Sequence, residues 1–232
     1  MRCISCNIDH ENSFCPNCGE KGDVPKITFS SMFNAGVSTI TNMDKGFLFN
    51  LKHLFLHPQK LIQDYIGGKR KGILNPISYL IFAVTIYLIF EVLFHESIES
   101  KKMSSKYYEI GYQAGGFLRD YFKYFWISSI LWLSLSTRLV FKQYSLAEHM
   151  AINAFVLAQT TLIIALSYLI FKTGIIFNPF VYLILIFLIY KIYQRKSKDV
   201  DRFLMSVSTI MIFFFMLAAI VVFIGWVRTK ML

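Results

Sequence analysis

Long stretches of this chain carry no charged residue at all, and nothing else in it limits the fold so strongly. Nineteen such positions run from Gly72 to Phe90, 22 from Met150 to Phe171 and 25 from Phe203 to Val227. In hydrocarbon every backbone N–H and C=O must find its partner within the protein, so runs of this length are helices. About 20 residues cross the ~30 Å of a bilayer's apolar core. Composition agrees, because 55% of the residues are hydrophobic where soluble domains hold about 45–50%. The excess falls after residue 72.

The fold class that follows is all-α: a polytopic membrane protein with about five transmembrane helices. The first is expected over 75–94, with Asn75 as cap and Pro76 at the first helical position. The second, 121–141, has only 14 uncharged residues between Lys123 and Arg138 and needs those cations to snorkel. The third, 146–171, opens on the capping box Ser145-x-x-Glu148. The fourth, 175–193, is interrupted by Asn178-Pro179, and its short helical part leans on Ile175-Ile176-Phe177. The fifth runs over 203–227.

Ahead of these lie Cys3-x2-Cys6 and Cys15-x2-Cys18, separated by eight residues. Each pair forms a turn that aims two sulfurs at one point, and two such turns supply the tetrahedral shell that zinc prefers. A redox dithiol pair or an empty knuckle is the alternative. Four thiolates close the shell, so the zinc is structural and no catalysis is expected at it. His10, between the knuckles, reads as a surface residue. Gly19 suits a tight or left-handed turn. Residues 1–26 have no apolar leader segment, which places the N-terminus in the cytosol, where thiols stay reduced. Three units result: a zinc ribbon over 1–26, amphipathic interfacial helices over 27–71, and a transmembrane bundle over 72–232.

The net charge of +10, from 24 Lys+Arg and 14 Asp+Glu, fits either nucleic acid or the cation bias of cytoplasmic loops. Its placement favours the loops. With the N-terminus inside, the inner segments 1–71, 138–148 and 191–202 hold 9, 2 and 5 Lys+Arg, against 5, 1 and 2 outside. The ribbon itself carries only Arg2, Lys21 and Lys26, so nucleic acid is disfavoured as a partner. Five spans put the C-terminus outside. Residues 95–121 are then the largest external segment.

Between ribbon and bundle, Asp44 can cap a helix reaching Leu56, with Phe47, Leu48, Leu51, Leu54 and Phe55 on one apolar face. Pro58 starts a second helix to residue 66, with Leu61, Ile62 and Tyr65 on a face, and Gly67-Gly68 stops it. Lys69-Arg70-Lys71 follow. This elbow can lie on the inner leaflet, its triplet facing anionic headgroups, or it can pack on the bundle.

An ordered set of short motifs runs through this region: Cys15-Pro16-Asn17-Cys18-Gly19, Asp44-Lys45-Gly46-Phe47, Pro58, Tyr65-Ile66-x-Gly68-Lys69-Arg70 and Asn75-Pro76-x-x-Tyr79-Leu80. In these the chain resembles a family of uncharacterised bacterial integral membrane proteins, common in Bacteroidetes, with an N-terminal four-cysteine zinc ribbon. Gly72-Ile73-Leu74 departs from it, since a more basic or aromatic stretch is expected there. The resemblance covers residues 1 to about 90 and implies a bacterial inner-membrane setting. It brings no activity.

Several other features can carry function. Asn75-Pro76-x-x-Tyr79-Leu80-Ile81 recurs as Asn178-Pro179-x-x-Tyr182-Leu183-Ile184. Inverted repeats with broken helices mark transporters, but Asn-Pro is also a generic helix start, which is the preferred reading. Gln159, Thr160 and Thr161, midway along the third span, are the candidate intramembrane polar site; their blander role is hydrogen bonding between helices. Ser206, Ser208 and Thr209 read the same way. Glu91 and Arg138 lie near span ends and are expected to snorkel. His53 and His57 share a helix face without a third ligand, and His149 is expected to face headgroups beside Glu148. There is no nucleophile motif, phosphate loop or carboxylate pair, so no catalytic residue is assigned and an enzyme is the least supported reading. The preferred function is a non-enzymatic scaffold, recruitment or sensing protein that uses its cytoplasmic ribbon to meet a protein partner. The alternative is a small transporter, channel or lipid-handling protein with the ribbon as regulatory or assembly contact.

Overall fold

The computed structural model describes residues 1–22, 27–32, 46–94, 126–171, 178–193 and 199–231. The expected Asp44 cap, the external segment 95–121 and the lead-in 175–177 lie outside them. Among the described residues the regular structure is helical, with no strand. After a single turn at 29–32, the helices are α1 (Gly46–Leu56), α2 (Pro58–Ile66), α3 (Pro76–Phe94), α4 (Trp126–Val140), α5 (Leu146–Phe171), α6 (Pro179–Ile192) and α7 (Asp199–Met231).

Local chemistry sets the starts. Asn75 Oδ1 accepts the Ile77 N–H at 2.9 Å and Asn178 Oδ1 accepts the Phe180 N–H at 3.0 Å, so both copies of the recurring Asn-Pro are N-caps with proline in the first turn. At α5 the box closes both ways: Ser145 N–H donates to Glu148 Oε2 at 2.7 Å, and Glu148 N–H to Ser145 Oγ at 3.3 Å. Helix α7 begins before the apolar run, because Asp199 and Asp201 occupy its first turn and Arg202 pairs with Asp199. Acidic groups at a helix N-terminus complement its dipole.

Among the described residues, helices α3, α5 and α7 are long and apolar enough to cross a membrane, while α4 and α6 are shorter apolar helices. The molecule is a helical membrane protein. The three long helices differ in surroundings: 78% of the α5 span is buried, against 33% of α3 and 22% of α7. Helix α5 is therefore the hub, and α3 and α7 present much of their surface outward. Helix α3 packs extensively along α5. Helix α4 lies antiparallel to α5, as three contacts along their length show: Trp126 with Thr161, Thr137 with Asn153, and the Phe141 carbonyl with His149. Helix α6 is antiparallel to α5 too, joined by Ser167 with Asn178 at one end and His149 with Tyr193 at the other.

The elbow packs on this bundle. Leu54, Leu61, Ile62 and Tyr65 are buried in its core, α1 touches α5, and α2 touches α6. The Phe155 ring, fully buried, meets Tyr65 at 5.3 Å and Tyr79 at 6.1 Å between centroids. The expected single face of α1 divides. Phe47, Leu51 and Leu54 turn inward, while Leu48 and Phe55 stay exposed.

A strap joins elbow to α3. Gly68 and Gly72 have φ of 100° and 78°, values that an L side chain adopts rarely. Asn50, wholly buried, grips Leu74 with both amide atoms: Nδ2 donates to its carbonyl at 3.1 Å, and Oδ1 accepts its N–H at 3.2 Å. Gly46 lies so close that an added Cβ would sit 3.3 Å from Leu74 N.

Candidate functional site

The four cysteines converge. All four sulfurs lie within 4.8 Å of one another, with Cys3 to Cys18 at 3.4 Å and Cys6 to Cys15 at 3.5 Å. A tetrahedral zinc with ~2.3 Å bonds places its sulfurs about 3.8 Å apart, so the donor set fits such an ion.

Two like-built knuckles make this cluster. The Cys3 N–H donates to the Ile8 carbonyl at 2.9 Å, as the Cys15 N–H does to that of Glu20 at 2.8 Å. The Asn7 N–H returns to Cys3 O at 3.0 Å, as the Gly19 N–H returns to Cys15 O at 2.7 Å. Both turns need a left-handed residue, with φ of 60° at Asn7 and 69° at Gly19. Asparagine is the non-glycine residue that takes this conformation most readily. Isolated bridges Arg2–Asp9 and Phe14–Lys21 close the two turns.

The thiols do not share protons evenly. The Ile8 N–H, with help from neighbouring side chains, holds the Cys6 thiol down to about 6 against the opposing effect of burial. The Cys15 thiol is lowered too, chiefly by the Cys18 N–H. Cys18 accepts the Glu20 N–H, which lowers it, but burial and the three other sulfurs push it up to about 12. Four thiols this close do not all ionise by themselves. A bound dication would offset their repulsion, and its binding would release the remaining protons. His10 is buried and stands apart, its Nδ1–H donating to the Asn12 carbonyl at 2.9 Å.

The head is mounted on the strap through Glu20. Glu20 is only 5% exposed, and its Oε2 accepts the Ser5 hydroxyl at 2.8 Å and the Lys71 N–H at 3.1 Å. The basic triplet has protein partners along its length. Lys69 pairs with Asp64 at 3.3 Å, and the Arg70 guanidinium lies 5.4 Å from the centre of the Tyr65 ring. The Lys71 ammonium comes within 3.0 Å of where a Cβ on Gly19 would stand. Burial pushes the Tyr65 phenol up to about 12, against the pull of Arg70.

Gln159, Thr160 and Thr161 are all buried. Gln159 accepts the Tyr79 hydroxyl at 2.6 Å and its amide donates to the Leu51 carbonyl at 3.4 Å, so it joins α3, α5 and the elbow. Thr161 accepts the Trp126 indole N–H at 2.8 Å and itself donates to Leu157 O. Thr160 donates within its own helix to Val156 O. In α7, Ser206 and Thr209 bond back to the preceding turn in the same way, and Ser208 is exposed. Glu91 is half-buried and Arg138 exposed. His53 stacks on Phe49 at 3.8 Å and its Nδ1 bonds the Phe49 carbonyl.

His149 departs from expectation: it is wholly buried and not turned to headgroups. A carbonyl only accepts, so Nε2–H donates to Phe141 O at 2.9 Å, and Nδ1 accepts the Tyr193 hydroxyl at 2.9 Å. Beside it Asn153 donates to Ser134 and Thr137 at 3.2 and 2.9 Å. A histidine next to a capping glutamate gives no hint of a tyrosine 44 residues away. Asn153, one of two amides in an uncharged run, is the signal that marks this contact.

Residues 44–88 are similar to a family described as a protein of unknown function (DUF3667). Its described residues, 46–88, are one physical unit, since they hold the elbow, the strap with its Gly46 and Asn50 contacts, and most of α3. No curated protein and no solved structure matches the chain.

Proposed function

We propose that this is a non-enzymatic membrane protein of the bacterial inner membrane, its N-terminus cytoplasmic, whose zinc-bound head recruits or senses a protein partner. One observation carries the reading. A head with almost no interior of its own keeps Ile4, Ile8 and Phe14 exposed while its four thiols close inward on a metal-sized space. Apolar side chains on so small a rigid body suit a partner surface. The outward Leu48, Phe55 and Leu56 of α1 support contact of the elbow with the inner leaflet, and Lys69, Arg70 and Lys71 beside it support attraction to anionic headgroups.

The transporter reading draws less support, because Gln159 and Thr161 spend their polar atoms on neighbouring helices.

The test is crosslinking in intact cells followed by purification of the full chain. The wild type, Phe14→Asp and the double variant Cys15→Ser/Cys18→Ser are compared, each assayed for zinc. The reading expects one adduct, present with the wild type and lost with both variants, while Phe14→Asp keeps its zinc. An adduct pattern identical in all three removes the head from any recruiting role.

A further inference from the structure

Glu20 is the residue through which the cysteine head and the membrane-entering segment meet. It stands two positions after Cys18, so the second knuckle carries it. Its main-chain N–H donates to the Cys18 sulfur, and its carbonyl accepts the Cys15 N–H at 2.8 Å. One hydrogen bond thus separates it from the candidate metal. Its side chain faces the other way, to Ser5 on the first knuckle and to the Lys71 N–H on the strap. Beyond Lys71 the strap is tightly held, through Gly72 at φ 78°, the double bond of Asn50 to Leu74, and Asn75 capping α3.

We infer that Glu20 is a metal-dependent latch, holding the strap ahead of α3 while the four thiols are clamped and letting it go when they are not. This rests on reading the cysteines as a metal site. The physical argument concerns the carboxylate. A buried carboxylate is tolerable only while donors surround it, and here the donors come from two separately held pieces, the first knuckle and the strap. A head of this size has too little core to hold Ser5 and Glu20 in place alone, so its folding energy comes from the metal. Once the metal leaves, the knuckles part, the carboxylate returns to water, and the Lys71 N–H loses its acceptor. The Lys71 ammonium, packed over Gly19, is freed at the same moment to face water or anionic headgroups. The device converts the metal content of the head into the freedom of the segment that enters the membrane.

The test uses the full chain in nanodiscs, with amide hydrogen exchange read over residues 67–75 and zinc measured on the same sample. Chelation is expected to speed exchange at Lys71 about tenfold or more, the scale of losing a hydrogen bond to a charged group. Glu20→Ala, which leaves the Lys71 N–H without its acceptor, is expected to speed it likewise with zinc still bound. Should that variant lose its zinc, Ser5→Ala decides, since it removes one of the two donors and no ligand; a several-fold rise supports the latch and an unchanged rate overturns it. Exchange at 67–75 that is equal with and without zinc overturns the latch while leaving the metal site intact. A wild-type chain that binds no zinc overturns both.

Discussion

The head and the α4–α5–α6 bundle solve one problem, burying polar groups, by opposite means. In the head the polar groups are sulfurs that repel one another, and no apolar core surrounds them. In the bundle they are Trp126, Asn153, Thr161, His149 and Tyr193, each matched to a partner on a neighbouring helix and enclosed by Leu133, Ile152, Phe155 and Leu185. On the proposed metal reading, order in the first depends on an ion added from outside. Order in the second is written into facing side chains. The difference teaches where each part is vulnerable, the head to its chemical surroundings and the bundle to volume and to lost partners.

The sharpest way to break the comparison is through the cysteines. Cys15→Ser/Cys18→Ser is expected to abolish zinc binding and unfold the head, a loss on the order of 10 kcal/mol of metal-derived folding energy, while the bundle's thermal midpoint stays put. Metal analysis beside circular dichroism checks both halves. Acid should separate the regions the same way. Thiolates must be deprotonated to bind metal, so zinc is released as pH falls, and helix content in detergent is expected to persist at the pH where zinc is gone.

Within the bundle the largest effect is expected from Phe155→Ala, which opens a cavity between the Tyr65 and Tyr79 rings and costs about 3–5 kcal/mol in a reversible unfolding assay. Zinc content should not change. Tyr79→Phe leaves Gln159 Oε1 without its donor; a loss of about 1 kcal/mol is expected, and Tyr79→Phe/Gln159→Leu should cost less than the two single changes summed. Asn178→Ala removes the α6 cap and with it about 1 kcal/mol. A Gln159 variant that changed zinc content would show that the regions are not independent.

The sequence was legible where one local rule decides. Uncharged runs of 22 and 25 residues admit no structure but a helix, two Cys-x2-Cys pairs admit few arrangements but convergence, and Asn-Pro twice marks a helix start. What could not be read depends on distance along the chain. The Glu20–Lys71 bond spans 51 positions and the Gln159–Leu51 bond 108, and no periodicity encodes either. The amphipathic pattern of α1 was ambiguous for a related reason. Both of its sides are apolar, so the pattern announces burial without saying against what. Asn7 escaped notice because asparagine takes a left-handed turn only where the rest of the loop demands it. Helix α7 outran its apolar stretch because acidic residues extend a helix N-terminus as well as they interrupt a hydrophobic run.

The enclosure of α5 bears on how the protein is made. A segment carrying His149, Asn153 and Gln159 is a poor passenger for bare lipid, where each unmatched polar group raises the free energy of insertion. Its partners come from both sides in synthesis order, with α1, α3 and α4 emerging from the ribosome before it and α6 after. Insertion of α5 is therefore best matched to a half-built assembly that already offers the earlier of those partners.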